Sequence, residues 1–92
     1  MTSGPYDVQV TRPALRALAR LDVKFADAVL RFLAGPLAEN PLRVTKPLGA
    51  ELEGQRSGYV GIAYRVVVRI DEESRTVYVL RIAHRADVYR PR

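Results

Sequence analysis

Arg65, Arg69 and Arg81 occupy alternate positions of two β-branched runs, Gly61-Ile-Ala-Tyr-Arg-Val-Val-Val-Arg-Ile70 and Arg75-Thr-Val-Tyr-Val-Leu-Arg-Ile82. A guanidinium forks onto phosphate oxygens, stacks on bases and keeps its charge, so such a set can bind and neutralise a polyanion. Other chemistry is scarce. His84 is the sole histidine; it can transfer a proton or serve a structural role, and it cannot hold a metal alone. Glu51 and Glu53 flank Leu52 and read either as solvated strand residues or as an acid/base pair. The chain has no cysteine, which removes disulfides, thiol nucleophiles and thiolate metal sites. It also lacks a glycine-rich phosphate loop, a nucleophile elbow and zinc-ligand spacing, so neither metal nor cofactor is expected.

Arginines on alternate positions need a sheet to present them. The two runs are separated by Asp71-Glu-Glu-Ser-Arg75 and predict an antiparallel hairpin with a five-residue loop. Alternation puts Ile62, Tyr64, Val66, Val68 and Ile70 on the core face with Thr76, Tyr78, Leu80 and Ile82. The other face then carries Arg65, Val67 and Arg69 beside Val77, Val79 and Arg81, with Arg65 expected opposite Arg81 and Ile70 opposite Thr76.

The remaining elements must cover the apolar face. Tyr6-Asp-Val-Gln-Val-Thr11 alternates as a short first strand, and the Thr11 hydroxyl is placed to cap a helix with Pro13 in its first turn. That helix stacks Leu15, Leu18 and Leu21, while Arg12, Arg16 and Arg20 recur every four residues as either a solvated stripe or a docking surface for RNA or an acidic partner. Asp22 opens a second helix with Phe25, Val29, Phe32 and Leu33 at helical spacing, stopped by Gly35-Pro36. The stretch 39–48, with Asn40-Pro41 and Lys46-Pro47, predicts an irregular crossing that carries Lys46 as a peripheral cation. A strand anchored by Leu52 follows. The order β-α-α-β-β-β predicts an α+β fold, an antiparallel sheet of about four strands with an N-terminal helical hairpin packed on one face.

Residues 1–92 suffice for one small domain with a single core. With 15 Lys+Arg against 10 Asp+Glu and 13 of the cations arginine, the chain suits nucleic acid or an acidic protein as partner, unless the arginine excess reflects genome composition. No apolar run approaches the roughly 18 residues of a membrane span, and the first residues carry no signal-like apolar stretch, so a soluble cytoplasmic protein is expected.

The pieces resemble, in order and over nearly the whole chain, the RelE/ParE superfamily of bacterial toxins, and the RelE branch more closely. The resemblance is carried by Tyr6-Asp-Val-Gln-Val with the helical hairpin, Asn40-Pro41 through Lys46-Pro47-Leu48, Leu52-Glu-Gly54, Tyr64-Arg65-Val66-Val67, and Ile82-Ala-His-Arg85 closing on Val88-Tyr89-Arg90. It implies a toxin of a type II toxin–antitoxin system: a metal-independent endoribonuclease that cuts messenger RNA in the ribosomal A site by 2′-hydroxyl attack and is neutralised by a cognate antitoxin. Carried over residue by residue, Arg65 and Arg85 bind and stabilise the scissile phosphate. Tyr89 stacks on a base or shares in proton transfer, and Arg56 takes a basic position on the preceding strand. Arg81, Arg69, His84 and Lys46 are expected to bind RNA around them. The sequence departs from the family at Gly58-Tyr-Val-Gly-Ile-Ala63, which is apolar where relatives place two basic residues. Two other readings follow from the same resemblance. One is a gyrase-poisoning toxin of the ParE kind, against which Arg85 and Tyr89 argue; the other is a catalytically degenerate toxin, for which the apolar 58–63 stretch argues.

Overall fold

A computed structural model describes residues 5–49 and 54–84. The elements are β1 (Asp7–Val10), α1 (Arg12–Arg20), α2 (Val23–Ala34), α3 (Pro36–Glu39), α4 (Pro41–Val44), β2 (Lys46–Pro47), β3 (Gln55–Val60), β4 (Tyr64–Asp71) and β5 (Thr76–His84). The fold is α+β as expected, with one five-stranded sheet in the order β1-β5-β4-β3-β2. It has one strand more than expected, the two-residue β2, and its pairing is not antiparallel throughout. β1 runs parallel to β5, with Asp7 beside Thr76 and Val10 beside Val79. The cause is where β1 begins. The Tyr6 hydroxyl donates to Glu72 Oε1 at 2.5 Å and Asp7 N–H to the Arg75 carbonyl at 2.8 Å, so β1 starts at the same turn that starts β5 and travels with it.

That turn is one residue tighter than the sequence suggested. Asp71 itself pairs with Thr76. Its Oδ1 accepts from the amides of Glu73 (3.1 Å) and Ser74 (3.4 Å), and Arg75 closes the turn in the left-handed region at φ +53° with its guanidinium over the Tyr6 ring. An aspartate bonding its own backbone two residues on is a recognised way to start a turn. Shifting register by one exchanges the faces of β5. Val77 and Val79 are therefore fully buried where Tyr78 and Leu80 were expected, and Tyr78 is exposed. A β-bulge then restores the phase: Val68 pairs with Val79 but Val67 with Arg81, leaving Leu80 as the extra residue and returning Ile82 to the core opposite Val66.

The helices cover one face of this sheet. Val29 and Leu33 of α2, Ala14 of α1, and Leu37 and Ala38 of α3 pack with Val66, Val68, Val77 and Val79 in one cluster. α1 lies over β5 and α2 reaches β3. The closest approach is at Gly58, where a Cβ would stand 2.7 Å from the Val44 carbonyl oxygen and 3.0 Å from the Phe32 ring. Thr11 occupies the N-cap of α1, yet its hydroxyl donates to the Val79 carbonyl at 2.7 Å instead of accepting from the helix. It continues the β1–β5 connection. The crossing expected to be irregular holds two single-turn helices, each opened by a proline whose missing N–H is not needed there, and Asn40 Oδ1 caps the second by accepting from Arg43 N–H.

Candidate functional site

The face of the sheet opposite the helices is read from the strand pairing, since paired residues share a face. Tyr59, Arg65 and Ala83 form one row across β3, β4 and β5. Lys46, Ser57, Val67 and Arg81 form the next, from β2 to β5. Gln55, Arg69 and Tyr78 form a third. Strand spacing of about 4.8 Å then spreads Lys46, Arg65, Arg69 and Arg81 over one surface with Val67 as its apolar floor. Because of the bulge, Arg65 lies diagonal to Arg81 and not directly opposite it, as Arg65 pairs with Ala83. Diagonal partners have Cα atoms about 7–8 Å apart, within reach of two arginines converging on one phosphate.

Arg65 is the unusual member. It is buried, 6% exposed, while Arg69 and Arg81 are open to solvent. A permanent charge withdrawn from water needs compensation. Tyr59 supplies part of it: the guanidinium carbon sits 4.7 Å from the Tyr59 ring centroid, and Arg65 Nη2–H donates to the Tyr59 hydroxyl oxygen. A cation over an aromatic face is attracted by the ring quadrupole. Tyr59 itself is about half exposed. Arg69 turns its guanidinium toward Gly54 at the start of β3.

Two of the residues expected at this site lie on the other side of the sheet. Arg56 pairs with Val68 and so shares the helix face. Its Nε donates to Thr45 Oγ1 (2.8 Å) and its Nη2 to the carbonyls of Thr45 (2.8 Å) and Leu42 (3.3 Å), which fastens β3 to the end of α4. His84 pairs with Tyr64 and meets that ring edge-on at 5.6 Å, while Tyr64 packs on Phe25 of α2 at 5.1 Å. Arg85 and Tyr89 lie outside the described residues, as do Glu51 and Glu53. Tyr59 is the residue that the sequence reading passed over. Its signal was available: with Gly61-Ile-Ala63 as a three-residue connection, turned at Gly61 with φ +62°, alternation places Tyr59 opposite Arg65.

Such a surface can hold a phosphodiester, with a buried guanidinium at its centre, peripheral cations around it and a phenol at its edge. Among the described residues no group of three His, Asp or Glu side chains is placed to hold a metal ion, and no helix is long and apolar enough to cross a membrane.

Residues 8–89 match the family described as ParE toxin of type II toxin–antitoxin system, parDE. Toxin RelG of Mycobacterium tuberculosis is 48% identical over 86 residues, covering 94% of this chain and 98% of the relative. Toxin RelE of the same organism is 45% identical, covering 94% and 88%. The crystal structure of the toxin–antitoxin complex RelBE2 from M. tuberculosis contains a chain that superposes with a TM-score of 0.84 at 46% identity, covering 88% of this chain and 99% of that one.

Proposed function

The chain belongs to the ParE toxin family of type II toxin–antitoxin systems, and from that membership we propose that it is a ribosome-dependent endoribonuclease that cuts messenger RNA in the A site without a metal ion. The observation that carries the reading is the buried Arg65, held over Tyr59 on a face that also bears Arg81, Arg69 and Lys46. In the reaction the 2′-hydroxyl oxygen forms a bond to the adjacent phosphorus and the bond to the 5′ oxygen breaks, leaving a cyclic phosphate and a free 5′-hydroxyl. Negative charge accumulates on the phosphorane, and fixed cations at that point lower the barrier more than they would in water. Arg65 and Arg81 are assigned to this charge, Arg69 and Lys46 to the flanking backbone. Arg85 and Tyr89 take from the family resemblance a second phosphate contact and a stacking or proton-transfer role. In-line geometry is supplied by the ribosome, which converts positioning into rate.

The similarity to toxins RelG and RelE favours this reading over gyrase poisoning. The complex RelBE2 is a toxin paired with its antitoxin; by the same reasoning this chain is neutralised by a cognate antitoxin whose acidic side chains cover the open arginine face. Such a toxin works in the cytoplasm. The test is incubation with translating ribosomes followed by primer extension on the messenger. Cuts within the A-site codon bearing 5′-hydroxyl ends are expected, and they are expected to disappear with Arg65→Gln/Arg81→Gln. An uncut messenger, or DNA breaks in the presence of gyrase, would refute the proposal.

A further inference from the structure

Resting on the ribonuclease reading, we infer that Tyr78 is the stacking platform for a messenger base flanking the cut, in a nucleotide whose phosphates lie on Arg69 and Arg81. The ring faces away from the helices. Its neighbours along β5, Val77 and Val79, are fully buried in the core, and alternation turns Tyr78 to the open side of the sheet, where it is 38% exposed.

Four tyrosines fall among the described residues, and three of them have their rings engaged. Arg75 lies over Tyr6 and Arg65 over Tyr59, while Phe25 and His84 meet Tyr64. Tyr78 has no such ring partner among the described residues. Its neighbours in the row do not cover it: Arg69 on β4 turns its guanidinium toward Gly54, and Gln9 on β1 gives its amide to Asp7 at 2.6 Å. The ring face is therefore open beside two exposed arginines. Single-stranded nucleic acid is held by this combination, because every base has a π face to stack and cations track the backbone.

The spacing of the rows says which base this is. Tyr78 and Arg69 form one row, and Arg81 with Val67 forms the next, two residues away along β4. The rows are therefore about 7 Å apart, a separation that one extended nucleotide spans between its two phosphates. Arg65 lies in the row beyond Arg81, so a messenger with its scissile phosphate at Arg65 and Arg81 carries its next phosphate to Arg69. The nucleoside between those phosphates passes over Tyr78.

The test measures kcat/KM for wild type, Tyr78→Phe and Tyr78→Leu on ribosome-bound messengers in which an abasic residue replaces each position of the A-site codon and of the next codon in turn. Stacking of one base on an aromatic ring corresponds to about 5- to 150-fold. Wild type is expected to lose that factor when the abasic residue falls at one position flanking the cut. Tyr78→Leu is expected to lose it on the intact messenger and nothing further at that position, and Tyr78→Phe, which keeps the ring, to stay within a few-fold of wild type. Indifference of the wild-type chain to every abasic position overturns the inference, whatever the stability of the variants. So does a Tyr78→Leu chain that cuts the intact messenger normally; if that chain has also lost its antitoxin, the ring belongs to that partner instead. Failure of the wild-type chain to cut the intact messenger overturns the ribonuclease reading, and this inference falls with it.

Discussion

Arg56→Met is expected to damage the fold and spare the chemistry. The guanidinium makes three hydrogen bonds, two of them at 2.8 Å to Thr45 and one at 3.3 Å to the Leu42 carbonyl. Thr45 is buried and its hydroxyl already donates to the Pro41 carbonyl at 2.6 Å, so the loss leaves part of the α4 end without a donor. Hydrogen bonds involving a charged group contribute about 1.5–3 kcal/mol each. Counting only the two short ones, and discounting for water that can replace the guanidinium at a half-exposed site, the cost is about 2–3 kcal/mol. Methionine preserves most of the apolar stem, so packing loss adds little. Against a total stability of roughly 5–14 kcal/mol for a chain of this length that is a large share. With a urea slope of about 1–2 kcal/mol per molar, the unfolding midpoint should fall by about 1–3 M. Cleavage per folded molecule should fall less than about tenfold, since Arg56 does not face the open side. An unchanged midpoint together with a hundredfold loss of cleavage would refute the reasoning and return Arg56 to the site.

Gly58→Ala should destabilise by about 1–3 kcal/mol, the usual cost of overpacking, because its Cβ would meet the Val44 carbonyl at 2.7 Å; a urea melt equal to wild type would contradict this. The pair Arg65→Gln/Arg81→Gln should lose cleavage and melt at lower urea, since the buried Arg65 gives up its hydrogen bond to Tyr59 and its seat over that ring, which outweighs relief of a like-charge diagonal worth less than about 1 kcal/mol; an unchanged midpoint would contradict this. Tyr6 is held above the ordinary phenol value first by its hydrogen bond to Glu72 and then by burial. Its contribution is therefore fully present below the unfolded value near 10 and is lost as pH rises through the higher folded value. The gap between the urea midpoints of wild type and Tyr6→Phe should hold steady up to about pH 9 and narrow above pH 10; a gap that widens would show the sign to be wrong.

Periodicity made the helical hairpin and the β4–β5 hairpin legible, because Val29 with Leu33 and Val66 with Val68 repeat at spacings that leave little choice of element. It could not reveal the face of β5, which depends on one residue of turn length and then on a bulge. Asp71 reads equally well as a loop residue or as the last pair of a strand until its carboxylate is seen holding Glu73 and Ser74. For the site, alternation correctly grouped Arg65, Arg69 and Arg81 on the uncovered face. The faces of Arg56 and Tyr59 were hidden for a related reason: opposite parity on β3 sends Arg56 to the helices and Tyr59 to the arginines, and parity there hangs on the length of the connection at Gly61.

The order β1-β5-β4-β3-β2 places β5, the last of the described strands in the chain, between the first and its own hairpin partner. Until residues 76–84 have left the ribosome, β1 has nothing to pair with, Val66 and Val68 lack Val77, Val79 and Ile82 beside them, and Arg81 is missing from the face that bears Arg65. Pairings so distant in sequence form late. A nascent chain of this toxin is therefore without the candidate face until residues 76–84 have emerged.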